Sequence, residues 1–314
     1  MDRKRPAVPL PLALVIAILA VSSASILIRF AQRDVPSIAI AALRLTFATL
    51  IIGPAAVVRH RAELAGLQAP VLRRLLLAGL FLAVHFAAWI TSLEYTSVAS
   101  SVVFVSTGPL WVGLLSPVVL KDRLTRATRL GLGLAVVGGL FIGIGDLCTW
   151  RQGLACPGWS AMLEARGLLG NALALLGALA VAGYLMVGRT VRAGLSLLPY
   201  VFVVYGLAAL CLVLFSVAAG TRLDGFPLSA YGWILLLALF PQVIGHSTYN
   251  WALRYLPATL VALATLGEPL ASSVLAYFIL EEVPPPTLLL GGLLILGGVY
   301  VVARQPSAGS NTVS

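Results

Sequence analysis

Two stretches of this chain are versions of one another: Ser92–Thr125, SLEYTSVASSVVFVSTGPLWVGLLSPVVLKDRLT, and Ala252–Glu282, ALRYLPATLVALATLGEPLASSVLAYFILEE. At one constant offset of 160 residues Tyr95 meets Tyr255, Pro109-Leu110 meets Pro269-Leu270, and Asp122 meets Glu282. The same offset holds on both sides of these stretches. Leu19, Ala20 and Val21 meet Leu179, Ala180 and Val181, Arg29 meets Arg189, and Gly131, Leu134 and Gly138 meet Gly291, Leu294 and Gly298. Leucine matches arise by chance in a leucine-rich chain. Tyrosine, proline and glycine matches without a gap do not, so the chain is read as an internal duplication.

Composition sets the solvent. Of the 314 residues, 60% are hydrophobic and 10% charged, against about 45–50% and about 25% in soluble domains. A water-soluble core cannot absorb that much apolar surface, so lipid takes the place of water. The net charge of +10 does not point to nucleic acid, because the basic residues fall in short clusters between apolar spans. The N-terminal run resembles a secretory signal in its basic start, but it continues through small residues into ILIRF, and further spans follow. It is read as a first membrane helix.

Segments of about 20 apolar residues can cross a bilayer as helices. Ten qualify: 10–31, 36–58, 75–93, 97–120, 128–145, 167–188, 197–219, 229–251, 257–280 and 286–303. None alternates polar and apolar as a barrel strand would. With the N-terminus in the cytoplasm, fifteen of the 21 Lys and Arg residues fall in cytoplasmic segments and five on the other side, with Arg44 inside a helix. The positive-inside bias therefore places both termini in the cytoplasm. Each half holds five helices, and an odd number reverses the second half's direction of entry. The expected fold is all-α and integral to the membrane, with ten transmembrane helices as two inverted five-helix repeats. The repeats are 10–145 and 167–303, separated by an extracytoplasmic loop, 146–166. In that loop Cys148 and Cys156 are either bonded or free thiols, and Cys211 is a core residue of the seventh span.

At this point the chain resembles the EamA-type family of the drug/metabolite transporter superfamily. The resemblance is carried by IAALRLTFATLII (40–52), by the two quoted stretches, and by GLGLAVVGGL and GGLLILGGVYV after them. It covers about residues 10–303. It implies a ten-helix metabolite transporter, many relatives of which look like exporters of amino acids or other small solutes. The acidic residue that closes the fourth helix in the family matches Asp122. The second half departs from the pattern at EEVPPP (281–286), where the family has a polar turn.

Ionisable groups inside spans cost about 2.5–3.5 kcal/mol on insertion scales and point to function. Glu268 forms an i, i+3, i+7 stripe with Thr265 and Ser272, while its counterpart Gly108 has no side chain. Glu268 is read as cavity-lining, against a buried neutral carboxyl at a kink. Pro109 and Pro269 are matched mid-helix prolines expected to bend their helices. Arg44 lies about 12 Å along its helix from Pro36. It has two readings, an ion pair with Glu94 or Glu268, or a clamp for a substrate carboxylate. His85 shares a stripe with Trp89 and Ser92, and His246 shares one with Gln242 and Tyr249. Trp89 and Tyr249 are mates at the offset of 160. Two polar-aromatic stripes on equivalent helices suit a cavity for an amphipathic solute, although a lone histidine on an apolar helix is often only a packing residue. Tyr184 and Asn171 add weaker candidates on the sixth span.

GIGD at 143–146 is similar to the GxGD of intramembrane aspartyl proteases, but no second aspartate lies within a span, and no P-loop, zinc spacing or nucleophile elbow is present. The glycine pairs suit close helix packing better than nucleotide binding. The expected protein is therefore a secondary active transporter and not an enzyme, without cofactor or metal. It would export a small metabolite such as an amino acid by alternating access at a site between the repeats. A passive channel or facilitator is the alternative. Its expected partners are a small solute, the bilayer and a coupling proton, with no nucleic acid, as a monomer or dimer in the inner (plasma) membrane.

Overall fold

The structure is a computed structural model that describes residues 8–119, 126–147, 166–256, 261, 264–265, 267–284 and 286–303. Asp122, Cys148 and Cys156 lie outside the described residues. Every regular element among those described is helical. In chain order these are α1 (Leu10–Ser22), α2 (Ala24–Ala31), α3 (Ser37–Ala65), α4 (Ala69–Ser92), α5 (Val98–Val105), α6 (Gly108–Val119), α7 (Arg126–Leu147), α8 (Arg166–Arg192), α9 (Leu197–Ala218) and α10 (Leu228–Leu237). A π-helical segment, Ala238–His246, then leads into α11 (Ser247–Ala252), α12 (Gly267–Leu280) and α13 (Pro286–Ala303).

Among the described residues seven spans are long and apolar enough to cross a membrane: Leu10–Ala31, Ser37–Ala65, Ala69–Ser92, Val98–Leu115, Arg166–Arg192, Leu197–Ala218 and Leu228–Ala252. Shorter apolar helices cover Arg129–Gly139, Gly267–Leu280 and Pro286–Gly298. Leu214, Phe215, Val217, Leu228, Phe278 and Leu293 all point outward and are exposed. Apolar patches of that extent would drive a soluble protein to aggregate. Here they face lipid, and the chain is an integral, multi-pass membrane protein.

Several spans that read as unbroken are interrupted. The first divides at Ser23, and the fourth at Ser106-Thr107. The eighth runs through a π turn that contains Pro241. Proline has no N–H to donate into the helical ladder, and the i→i+5 pattern of the π turn is a way of absorbing the mismatch. The second span continues beyond residue 58 to Ala65, with His60 at non-helical φ −130° and ψ 23°.

Helix packing repeats across the two halves. α3 packs on α9 and α7 on α13, each helix against its own mate at the offset of 160, while α4 packs on α8 as the π segment packs on α1. The glycine pairs make this reciprocity concrete. A Cβ on Gly138 would lie 2.5 Å from the Gly291 carbonyl, and one on Gly298 would lie 2.5 Å from the Gly131 carbonyl. Each contact is the image of the other, as in an isologous interface, and only glycine lets the backbones approach so closely.

At one end of the bundle a polar strap joins three helices. Arg29 donates to the Thr96 carbonyl (3.0 Å) and to Glu282 Oε1 (3.2 Å), and Glu282 Oε2 accepts from Val98 N (2.8 Å), capping α5. Glu281 holds φ 58°, which turns the chain so that Glu282 reaches back. At the opposite end Glu63 Oε1 accepts from Ser196 N (2.6 Å) and ties α3 to the start of α9.

Candidate substrate cavity

Pro109 and Pro269 do not bend continuous helices, as their sequence positions suggest. Pro109 is the second residue of α6, and Pro269 the third of α12. In the first turn of a helix the missing N–H has no ladder partner to lose. The groups around the breaks are bonded locally: Thr107 N to Phe104 O (3.1 Å), Leu110 N to Thr107 O (2.8 Å) and Glu268 N to Thr265 O (3.0 Å). Glu268 therefore stands not at mid-helix but in the first turn of α12. There the positive end of the helix dipole stabilises an acidic group by about 0.3–1 kcal/mol.

Both breaks open onto one cavity of about 70 Å³. His85, Trp89, Ser106 and Pro109 reach it from the first half of the chain, and Tyr184, His246, Tyr249, Asn250, Thr265 and Glu268 from the second. His85 and Trp89 stack at 5.9 Å between ring centroids, and His246 stands edge-on to His85 (6.4 Å) and Tyr249 (6.5 Å). Gly177 sets the first pair in place. A Cβ there would lie 3.3 Å from Trp89 Cβ, and its carbonyl accepts from His85 Nδ1 at 2.9 Å. Tyr184 donates to Asn250 Oδ1 (2.8 Å), and Asn250 Nδ2 donates to the His246 carbonyl (2.8 Å). The buried Trp89 Nε1 and Tyr249 hydroxyl have no hydrogen-bond partner among the described residues.

Two candidates stand one layer behind the wall. Arg44 is 0% exposed, donates from Nε to Gln242 Oε1 at 3.0 Å, and stacks 4.1 Å from the Phe86 ring. Phe86 in turn packs edge-on to His246 at 5.3 Å. Neither expected ion pair forms. Glu94 instead accepts from the Ser37 N–H and hydroxyl. No contact pair of Arg44 and Glu268 is among the salt bridges of the described residues. Gln242 leaves the expected stripe because it lies in the π turn, where i→i+5 bonding rotates residues away from the i, i+4 alignment of an α-helix. Pro269 faces a separate groove between α12 and α13, and Ser272 donates to the Ser22 carbonyl (3.1 Å). Phe86 and Asn250 join these residues through the structure. Asn250 carried a signal in the polar run QVIGHSTYNW, whereas Phe86 is one aromatic among many apolar neighbours.

The EamA-like transporter family matches residues 10–144 and 168–304. Two relatives from Bacillus subtilis (strain 168) are described as uncharacterized transporters, YyaM (23% identical over 67% of this chain) and YetK (24% over 68%). The matches span 66% and 63% of those proteins' lengths. An uncharacterized transporter from Archaeoglobus fulgidus is 22% identical over 74% of this chain and 77% of its own. A crystal structure of a protein 20% identical in sequence superposes with a TM-score of 0.61 over 93% of this chain and 95% of that one, a likeness of fold.

Proposed function

Because the chain belongs to the EamA-like transporter family, we propose that it is a secondary active transporter that exports a small metabolite, amino-acid-like in size and polarity, across the inner membrane. The observation that carries this reading is the pair of matched helix breaks, at Gly108-Pro109 and Gly267-Glu268-Pro269, opening onto one cavity walled by both halves of the chain. Discontinuous helices meeting near the middle of an inverted repeat are where transporters of this type hold their solutes. The reciprocal packing of α3 with α9 and of α7 with α13 supports two five-helix repeats, 10–145 and 167–303, related by an axis in the membrane plane. The distribution of arginine and lysine supports cytoplasmic termini.

Transport proceeds by alternating access. A cavity of about 70 Å³ is below the roughly 300–1,000 Å³ of ligand pockets, so this conformation suits an occluded state, and the helices must part to admit solute. Glu268 is the exchange group. A carboxylate can hold either a proton or a cationic group, so proton and solute amine compete for the same two oxygens. Membrane potential contributes about 2.3 kcal/mol per charge per 100 mV to such a cycle. The family match is to transporters, and the chain is read as a carrier and not an enzyme.

The test is uptake of a panel of labelled solutes by proteoliposomes under an imposed pH gradient. We expect accumulation above equilibrium with the wild type. Glu268→Gln, which keeps shape but fixes the neutral state, should fold and should lose pH-dependent transport. A wild-type rate and pH profile in Glu268→Gln would make the carboxylate structural only. Equilibration without accumulation would make the chain a facilitator.

A further inference from the structure

Charge is unevenly distributed around the cavity. Among the described Asp, Glu, Lys and Arg side chains, Glu268 alone faces it. Beside it stand the rings of Trp89, Tyr184 and Tyr249. Aromatic faces are negative at their centres, so they attract cations and disfavour anions.

The group that could neutralise an incoming carboxylate is Arg44, and it does not face the cavity. It is fully buried, with Nε bonded to Gln242 and the guanidinium stacked on Phe86, and its two terminal nitrogens have no hydrogen-bond partner among the described residues. The His85 Nδ1–H is taken by the Gly177 carbonyl. The buried donors on the wall without a partner among the described residues are the Trp89 indole N–H and the hydroxyls of Ser106 and Tyr249. These can hydrogen-bond a neutral acceptor, but they do not compensate a full negative charge, which would also stand opposite Glu268.

We infer that the cavity selects a primary amine with an aromatic body and discriminates against the amino acid of the same side chain. This rests on the reading that the cavity is the solute site. The ammonium meets Glu268 in charge-assisted hydrogen bonds, and the ring stacks among Trp89, Tyr184 and Tyr249. An α-carboxylate would be desolvated without a partner, the arrangement by which sites reject a close analogue most strongly.

The experiment is competition for labelled tryptamine on the purified chain in detergent, using tryptamine, tryptophan and tryptophan methyl ester, in which the carboxylate is masked. Tryptamine and the ester should each displace the label at concentrations at least tenfold below tryptophan. Glu268→Gln, shown to be folded by its melting profile, should lose at least tenfold in tryptamine affinity. The inference is overturned if tryptophan competes as well as tryptamine, if the ester gains nothing over tryptophan, or if tryptamine does not bind. Uptake of the same label into proteoliposomes separates this from the transporter reading. Tryptamine bound but never moved would sink transport and keep the selectivity. Movement of an unrelated neutral solute without tryptamine binding would do the reverse.

Discussion

Glu268 and Pro269 look expensive in a membrane span and are each inexpensive where they stand. The proline occupies a first turn, where its absent N–H is not missed. The carboxylate occupies the same turn, where the dipole favours it, 9% exposed at the edge of a cavity. Tyr249 offers the sharpest test at this scale. Its hydroxyl has no partner among the described residues, so Tyr249→Phe should change stability by less than about 1 kcal/mol yet lower solute turnover several-fold. A melting temperature near wild type with unchanged turnover would mean that the hydroxyl meets no solute. The sequence marked Glu268, Trp89, His85, His246, Tyr249 and Tyr184, because polar and aromatic groups stand out in an apolar chain. It could not separate Arg44 and Gln242 from that set. Their positions depend on Phe86 and on a contact across 198 residues.

Among the elements, the breaks decide more than the spans do. Periodicity shows which stretches are apolar enough to cross, but a two-residue interruption at Ser106-Thr107 or a π turn at Ala238–His246 leaves apolar composition unchanged. Proline marks each neighbourhood without saying whether the helix bends, widens or restarts. The glycines are more direct. Gly138 and Gly298 meet backbone carbonyls that are images of one another, so Gly138→Ala and Gly298→Ala should destabilise the α7–α13 pair alike, each by about 1–3 kcal/mol, measured as thermal melting in detergent. Unequal losses, or none, would contradict reciprocal packing.

For the whole molecule, the proposed inverted repeat has a consequence for sidedness. The connection between α8 and α9 and the one between α9 and α10 would then lie on opposite faces of the membrane, the first inside if the termini are cytoplasmic as proposed. In a background with Cys148, Cys156 and Cys211 replaced, Gly194→Cys should resist a membrane-impermeant thiol reagent in intact cells, while Asp224→Cys should react. Both sites are exposed on the protein. The opposite pattern would invert the orientation argued from arginine and lysine.

By itself the sequence determined that the chain is helical, lives in lipid and is duplicated, because composition and a gapless offset of 160 residues do not depend on how helices pack. It also marked the polar residues whose cost in a membrane needs an explanation. Only the tertiary structure decided that helices restart at Gly108 and Gly267, that both halves wall one cavity, and that Arg44 stands behind that wall while Glu268 faces the cavity. Those outcomes turn on which backbone groups find partners in the absence of water and on which distant side chain lies against a given ring.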